Sequence, residues 1–191
     1  MQAYREPSRN YHNLDHLVHG LSELRVWAAN CAASEIDLRV LKQAFWFHDF
    51  VYAGQQDVSD EEASAQAWLS SSLDLYNAEA VAALIRATDH FQAQHIDHHL
   101  KAILLGADLS ILGQHIEIYN DYAAAIRDEY KHVPSVIYSE KRRHALVHLR
   151  KKALDQQLFQ SAYFGHEYNA NAIENMTQEN ERLTLINASQ N

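Results

Sequence analysis

Cysteine, proline and glycine are scarce in this chain of 191 residues, which contains one, two and five of them, respectively. A lone cysteine, Cys31, excludes an internal disulfide and any zinc or redox site of the CxxC type. The scarcity of proline and glycine, together with 47% hydrophobic and 21% charged residues, indicates a compact helical protein rather than a disordered chain. The length suffices for one domain with a sizeable core.

Positive charge is also in short supply, because 16 lysines and arginines face 25 aspartates and glutamates. The net charge is -9 and the isoelectric point is near 5.7. A surface of this sign repels nucleic acid polymers and anionic membranes, so we expect neither as a partner. The chain also lacks an apolar signal region at its N-terminus and any run of about 18 apolar residues, the length of a membrane span. We therefore expect a cytoplasmic protein.

Apolar residues recur at helical spacing along nearly every long segment, and no segment shows the sustained alternation of a strand. The pattern predicts an all-α protein, built as a single helical bundle. We expect one domain over residues 1–168 and, over residues 169–191, a C-terminal helix of the same domain whose polar end frays. The other predicted helices are one capped by Asn13, one over about 36–50, one opened by a capping box at 59–62, one from Asn77 to about His90, one capped by Asp97, one over 116–130 and one over 140–155.

His48 and Asp49 follow a strongly apolar run, residues 44–47. They stand where a buried helix would be expected to continue with apolar side chains. Two such side chains are costly to bury unless something pairs with them, and either a divalent cation or a salt bridge between the two would serve. Adjacent helical residues point about 100° apart, so both can bind one ion only at a helix end. The loop predicted after Phe50 supplies that end.

Three further residues offer ligands for the same ion. His12 and His16 are four residues apart and share one face if their helix begins by residue 12. Asp108, in the string GADLS, is either a ligand or a helix N-cap. Several of the 13 histidines lie in polar stretches that favour a solvated surface role, among them His95, His98 and His99.

The strings YHNLDH at 11–16, HD at 48–49 and AD at 107–108 stand in the order H…HD…D, and the chain thereby resembles the HD superfamily of metal-dependent phosphohydrolases. It looks more closely like small bacterial predicted HD phosphohydrolases, which share EPxRxYHNxxH at 6–16, FHDxVY at 47–52, ExxSA at 61–65, ADLSILG at 107–113 and IRxEY at 126–130. The resemblance covers about residues 4–167. The chain departs from these proteins at Asp60, where relatives more often have Asn, and in its C-terminal segment, which lacks an expected Arg-containing motif.

The resemblance implies a role for each matched residue. His12 would be a general acid, because the YHNxxH string also resembles the opening of the cyclic nucleotide phosphodiesterase site, where the first His protonates the leaving group. Glu61 is a further candidate catalytic residue, and Glu61 or Asp60 together with His90 could serve a second ion. First-turn carboxylates and a helix-end His also have ordinary structural roles, and we expect one ion rather than two. The implied metal ligands are His16, His48, Asp49 and Asp108.

Two imidazoles and two carboxylates suit Mn, Fe, Co, Ni or Zn rather than a thiolate-selected metal, and the sequence does not distinguish these ions from Mg. A divalent ion with open positions activates water and neutralises a phosphoryl oxygen. The expected function is metal-dependent hydrolysis of a phosphate ester bond in a small phosphorylated metabolite, with a nucleotide as the favoured substrate.

A phosphate substrate also needs cationic contacts, for which Arg9, Arg127 and Arg142 are the candidates. Arg127 could instead pair with a neighbouring carboxylate, and Arg142 could belong to a solvated helix face. Two other functions stay open: an HD-type di-iron oxygenase, which would need a fuller ligand set including His90, and a non-catalytic metal-stabilised binding module. Helix faces rich in Ala and Leu could form a homodimer as readily as a core.

Overall fold

The computed structural model describes residues 2–52, 57–71, 73–90 and 97–188. Within these ranges the chain forms helices and no strand, which confirms the predicted all-α class. In the same ranges, no helix combines the length and the apolar character that a membrane span requires. The α-helices are α1 (Leu14–Asn30), α2 (Glu35–Phe47), α3 (Asp60–Ser71), α4 (Ala78–Arg86), α5 (Lys101–Leu109), α6 (Ile116–Glu129), α7 (Ser135–Leu154) and α8 (Ala162–Ala188), and the short 3-10 helices are η1 (Ala3–Arg5) and η2 (Ser110–Gly113).

The chain forms two compact units, residues 1–108 and residues 109–191, which we call the N-terminal unit and the C-terminal unit. The boundary between them falls in the last turn of α5 rather than near residue 168. A single domain over residues 1–168 stays a prediction.

Helix α2 is central to the N-terminal unit, where it packs against α1, α3 and α4. Its inward face includes Leu41, Ala44 and Phe45, which are fully buried. The ring of Phe45 lies over Gly20 of α1 so closely that a Cβ at Gly20 would be 1.9 Å from the Phe45 Cζ atom. This close approach accounts for a glycine in the middle of α1, where it costs about 0.5–1 kcal/mol relative to alanine.

Asn13 caps α1, as predicted. Its Oδ1 accepts hydrogen bonds from the backbone N–H groups of Asp15 and His16, at 2.7 and 3.4 Å. Because the helix begins at Leu14, His12 precedes it, so the condition under which His12 and His16 would share a helix face is not met. The rings of His12 and His16 still lie close together, with centroids 5.9 Å apart.

The predicted capping box at residues 59–62 is half formed. Ser59 Oγ accepts a hydrogen bond from the backbone N–H of Glu62 at 3.2 Å, as the pattern requires. The Glu62 carboxylate forms a bidentate pair with Arg86 of α4, at 2.5 and 3.0 Å. This ion pair joins α3 to α4.

Two helix boundaries predicted near the candidate ligands are wrong. Helix α2 ends at Phe47, so the predicted end at Phe50 is three residues too late. Helix α5 begins at Lys101, so Asp97 does not cap it. Asp108 lies near the end of α5 and not at an N-cap position.

In the C-terminal unit, the 27-residue helix α8 packs against α7 and η2. Asn175 Nδ2 donates hydrogen bonds to the carbonyl oxygens of Leu112 and Gln114, at 3.0 and 2.9 Å. Gly113 lies so close to α8 that a Cβ there would be 2.4 Å from the carbonyl oxygen of Tyr168. Polar residues of α8 thus take part in packing. The end of the chain that is predicted to fray, residues 189–191, lies outside the described residues.

Candidate metal centre

Histidine and aspartate side chains from separate elements converge in the N-terminal unit. His16 lies in the first turn of α1, and His48 and Asp49 directly follow the last residue of α2. The Nε2 atoms of the two histidines are 3.1 Å apart, and Asp49 Oδ2 is 2.9 Å from His48 Nε2 and 3.5 Å from His16 Nε2. These three side chains form a group that could hold a metal ion.

Asp108 adds a second carboxylate to this group. Its Oδ1 is 3.3 Å from Nε2 of His16 and 3.3 Å from Nε2 of His48. Around an ion with bonds of about 2.1 Å, neighbouring ligand atoms are about 3.0 Å apart in an octahedron and about 3.4 Å apart in a tetrahedron. The two histidine nitrogens lie 3.1 Å from each other and 2.9 to 3.5 Å from an oxygen of each carboxylate, which is the spacing of neighbouring ligands of one ion.

The two imidazole rings are oriented by their surroundings. His48 Nδ1 is 2.7 Å from the carbonyl oxygen of Phe45, and this hydrogen bond places the proton on Nδ1 and the lone pair on Nε2. The His16 ring is packed between the rings of Phe45 and Tyr11, at centroid distances of 5.4 and 4.9 Å. Among the described residues, Nδ1 of His16 has no hydrogen-bond partner, so the polar contacts of this ring are made by Nε2.

The cluster stabilises one positive charge at its centre. Burial raises the pKa of Asp49 and of Asp108, but the surrounding histidines, with His48 the largest influence among them, together lower each pKa by more, so both carboxyl groups have a pKa below the usual value. Burial lowers the pKa of His48, whereas Asp49 and Asp108 raise it by more, to well above its usual value. Burial lowers the pKa of His16. Two carboxylates and a neutral His16 therefore surround a position that a proton on His48 or a metal ion can fill.

The end of α2 places His48 and Asp49 in a turn. Carbonyl groups at a helix C-terminus lack helical partners, and here other donors bind them. The hydroxyl of Tyr4 donates to the carbonyl of Trp46 at 2.8 Å, and Arg9 Nη1 donates to the carbonyl of Asp49 at 2.6 Å. Because the helix has ended, both side chains can reach the same point although they are adjacent in sequence.

A second hydrogen-bonded anchor holds the segment after this turn. The buried hydroxyl of Ser64, in α3, accepts a hydrogen bond from the backbone N–H of Val51 at 2.9 Å and donates to the carbonyl of Val51 at 3.4 Å. No role was predicted for Ser64 or for Tyr4. The only sequence signal for Ser64 was its place in the shared string ExxSA at 61–65.

His12, the predicted general acid, lies beside the ligands. Its half-buried ring stacks on Tyr52 at a centroid distance of 4.3 Å and an interplanar angle of 28°. Its charge is among the influences that lower the pKa of Asp49. His12 therefore stands at the edge of the cluster in a fixed orientation.

His90 and Glu61 differ in their relation to the cluster. His90 Nε2 is 2.8 Å from Asp108 Oδ2, the carboxylate oxygen other than the one near the histidine pair. Glu61 is half-buried in the first turn of α3, next to the Glu62 that pairs with Arg86. Among the described residues, no ion pair joins Glu61 to the four ligands.

All three arginines predicted to bind phosphate have acceptors within the protein. Arg9 is buried and donates to backbone carbonyls, among them that of Asp49. In the C-terminal unit, Arg127 donates to the carbonyls of Tyr130 and Val133, at 2.6 and 3.2 Å. Arg142, in the same unit, has only 10% of its side chain exposed and forms an ion pair with a glutamate. This geometry favours structural roles for all three side chains over contacts with a substrate.

We compared the chain with protein-family models, with curated proteins and with solved structures, and none of the three comparisons finds a match. The description of the centre therefore depends on its own geometry.

Proposed function

We propose that this protein is a metal-dependent phosphohydrolase of the HD type, which hydrolyses a phosphate ester bond in a small phosphorylated metabolite. The observation that carries the proposal is the convergence of two histidines and two aspartates, in which Nε2 of His16 and of His48 each lie 2.9 to 3.5 Å from an oxygen of Asp49 and of Asp108. A largely buried cluster of this composition has to desolvate two carboxylates in part, and perturbed groups of this kind are frequent at functional sites.

The donor set fits a divalent ion. Two imidazole nitrogens and two carboxylate oxygens favour Mn, Fe, Co, Ni or Zn over metals selected by thiolates, and we expect one ion per chain. The hydrogen bond from His48 Nδ1 to the Phe45 carbonyl is the kind of second contact that orients metal-binding histidines. When bound, the ion supplies Lewis-acid activation of a phosphoryl oxygen and lowers the pKa of a bound water.

His12 supplies the remaining group for hydrolysis. Stacking on Tyr52 holds its ring at the edge of the cluster, close enough to the Asp49 carboxylate to be among the influences that lower the pKa of Asp49. A protonated imidazole there can donate its proton to the departing alkoxide oxygen. General-acid assistance of this kind contributes about 10² to 10⁴ in rate. The choice of a nucleotide as substrate comes from the resemblance of the YHNxxH string to cyclic nucleotide phosphodiesterases.

A second candidate function has one observation in its favour. His90 lies 2.8 Å from the outer oxygen of Asp108, so Asp108 could bridge two ions with His90 as a ligand of the second. A two-metal centre is what an HD-type di-iron oxygenase needs. Metal analysis separates the candidates, because the hydrolase proposal expects one ion per chain and the oxygenase expects two irons and consumption of O₂.

Phosphate release from a panel of nucleotides and phosphate esters, with added Mn²⁺, tests the proposed function. We expect release by the wild type and a loss of at least about 10²-fold in Asp108→Asn, because removal of a ligand impairs both metal binding and water activation. His99→Ala is the control, since His99 is exposed and its contacts are with Asp37 and His98 rather than with the four proposed ligands. Metal binding without hydrolysis of any compound in the panel would contradict the hydrolase and favour a binding module.

A further inference from the structure

Arg9 binds the two chain segments that supply Asp49 and His12. Its guanidinium donates to the carbonyl oxygens of Asp49 at 2.6 Å, Phe50 at 3.1 Å and His12 at 3.4 Å. The first two carbonyls belong to the turn after α2, and the third lies just before α1. One side chain therefore connects a proposed metal ligand with the proposed general acid.

The surroundings of Arg9 differ from those of an ordinary buried arginine. Its side chain is 2% exposed, yet its nearest carboxylate, that of Glu6, is 3.6 Å away on a side chain that is 52% exposed. The charge is instead placed against backbone carbonyls at the C-terminus of α2, where the helix dipole favours a cation. The rings of Tyr4 and Tyr52 flank the guanidinium, at 5.3 and 5.5 Å.

Tyr52 extends the same connection to the ring of His12. The phenol ring that contacts the Arg9 guanidinium also stacks on the His12 imidazole at 4.3 Å. Arg9 thus contacts His12 directly, by a hydrogen bond to the His12 carbonyl, and indirectly, through the Tyr52 ring that stacks on the His12 imidazole. A guanidinium engaged in this way is not available to a substrate phosphate.

We propose that Arg9 is a positioning residue that sets the location of Asp49 and of His12 relative to each other, and that metal affinity depends on it. This inference rests on the proposed function, because it assumes that Asp49 is a metal ligand. Arg9 touches neither substrate nor ion in this account. Lysine cannot replace it fully, since one ammonium lacks the planar fork that reaches separate carbonyls.

Titration of the metal-free full chain with Co²⁺, followed by its visible absorption spectrum, tests this role without substrate. Arg9→Met keeps the bulk of the side chain and removes every donor, and we expect a 10- to 100-fold weaker Co²⁺ affinity with an altered spectrum. Arg9→Lys should show an intermediate affinity, and it keeps the test decisive if Arg9→Met does not fold. Tyr4→Phe removes only the hydrogen bond to the Trp46 carbonyl and should have a smaller effect.

Two control variants separate positioning from general loss of stability. Arg39→Met makes the same change at an exposed arginine of α2, and Val81→Ala lowers stability by removing buried methyl groups in α4. We expect both controls to keep the wild-type Co²⁺ affinity and spectrum. An equal loss of affinity in Val81→Ala and in the Arg9 variants would overturn the positioning role.

The outcomes also distinguish this inference from the proposed function. Folded Arg9 variants with wild-type Co²⁺ affinity but a raised KM would overturn positioning and restore the predicted phosphate contact. Weaker Co²⁺ binding in the Arg9 variants supports positioning even if the wild type hydrolyses nothing, a result that contradicts only the hydrolase. A wild type that binds no Co²⁺ would overturn both.

Discussion

Both units bury charged side chains, but the two buried clusters are balanced in different ways. In the C-terminal unit, Arg142 and Glu179 form a bidentate ion pair at 2.8 and 3.0 Å, and the hydroxyl of Tyr119 donates to the same carboxylate. In the N-terminal unit, the carboxylates of Asp49 and Asp108 face histidines. Among the described residues, no lysine or arginine forms an ion pair with either of these two carboxylates.

This difference separates a cluster that is complete on folding from one that we propose to be a metal centre. The glutamate of the C-terminal cluster has its counter-charge built into the chain, so its function is complete when the protein has folded. The aspartates of the N-terminal cluster surround a position that must be filled by a proton or by an ion from solution. Loss of a side chain should therefore reduce stability in the first cluster and metal binding in the second.

The largest expected effect is on the C-terminal cluster. Glu179→Ala leaves Arg142 buried without its partner, and we expect the free energy of unfolding to fall by about 3–5 kcal/mol in urea titrations. Glu174→Ala, at an exposed position of the same helix, is the control and should change stability little. A loss of less than about 1 kcal/mol in Glu179→Ala would mean that the pair is not structural.

The second prediction concerns the stability that a metal ion adds. At a free Mn²⁺ concentration about 100 times the Kd, binding to the native state should raise the free energy of unfolding by about 2.7 kcal/mol. Asp108→Asn should lose this increment because it loses a ligand, whereas Glu174→Ala should retain it. Equal stabilisation of the wild type and Asp108→Asn would show that Mn²⁺ binds elsewhere.

The third prediction compares two glycines, one in each unit. Gly20→Ala would push against Phe45, and Gly113→Ala would push against the backbone of Tyr168, so each should cost about 1–3 kcal/mol of stability by overpacking. Only Gly20→Ala should also weaken Mn²⁺ binding, because the displaced Phe45 ring packs on His48 at 4.6 Å. Calorimetric titration of the folded variants would measure this, and identical Mn²⁺ affinities would contradict the coupling.

The smallest expected effect concerns Glu62 and Arg86, a pair nearer the surface. Arg86 lowers the pKa of Glu62, so the pair stabilises the protein above the unfolded pKa of a glutamate, and this contribution is lost as the pH falls through the folded pKa. With side chains 33% and 27% exposed, the pair should contribute only about 0.5 kcal/mol. Glu62→Gln should therefore be slightly less stable than the wild type at pH 7, and this difference should shrink as the pH falls through the folded pKa, whereas a constant difference would contradict this assignment.

The helical class and the candidate group around His48 could be predicted because their signals are local. His48 and Asp49 interrupt an apolar run, and Asn13 precedes an amphipathic segment, so each is visible within a few residues. The predicted end of α2 is three residues too late because the side chains that donate hydrogen bonds to the carbonyls at this end are remote in the sequence. Tyr4 is 42 residues from Trp46, and Arg9 is 40 residues from the carbonyl that it binds.

The predicted arginine contacts show the same limit of local patterns. Arg142 stands in a basic run that suggests a surface, yet its partner Glu179 is 37 residues further along the chain. Asp108, in the glycine-containing string GADLS, looks like a helix N-cap. It lies near the end of α5 instead, because that helix extends from Lys101 to Leu109. In both cases the neighbouring residues in the sequence suggest one environment for the side chain, and tertiary packing places it in a different one.

The most direct test of the central claim is calorimetric titration of the metal-free wild type and Asp108→Asn with Mn²⁺. We predict one ion per chain in the wild type and at least 10-fold weaker binding in the variant, because Asp108 Oδ1 lies 3.3 Å from both histidine nitrogens of the cluster. Absence of binding in the wild type, or equal affinity in the two proteins, would contradict a metal centre formed by His16, His48, Asp49 and Asp108.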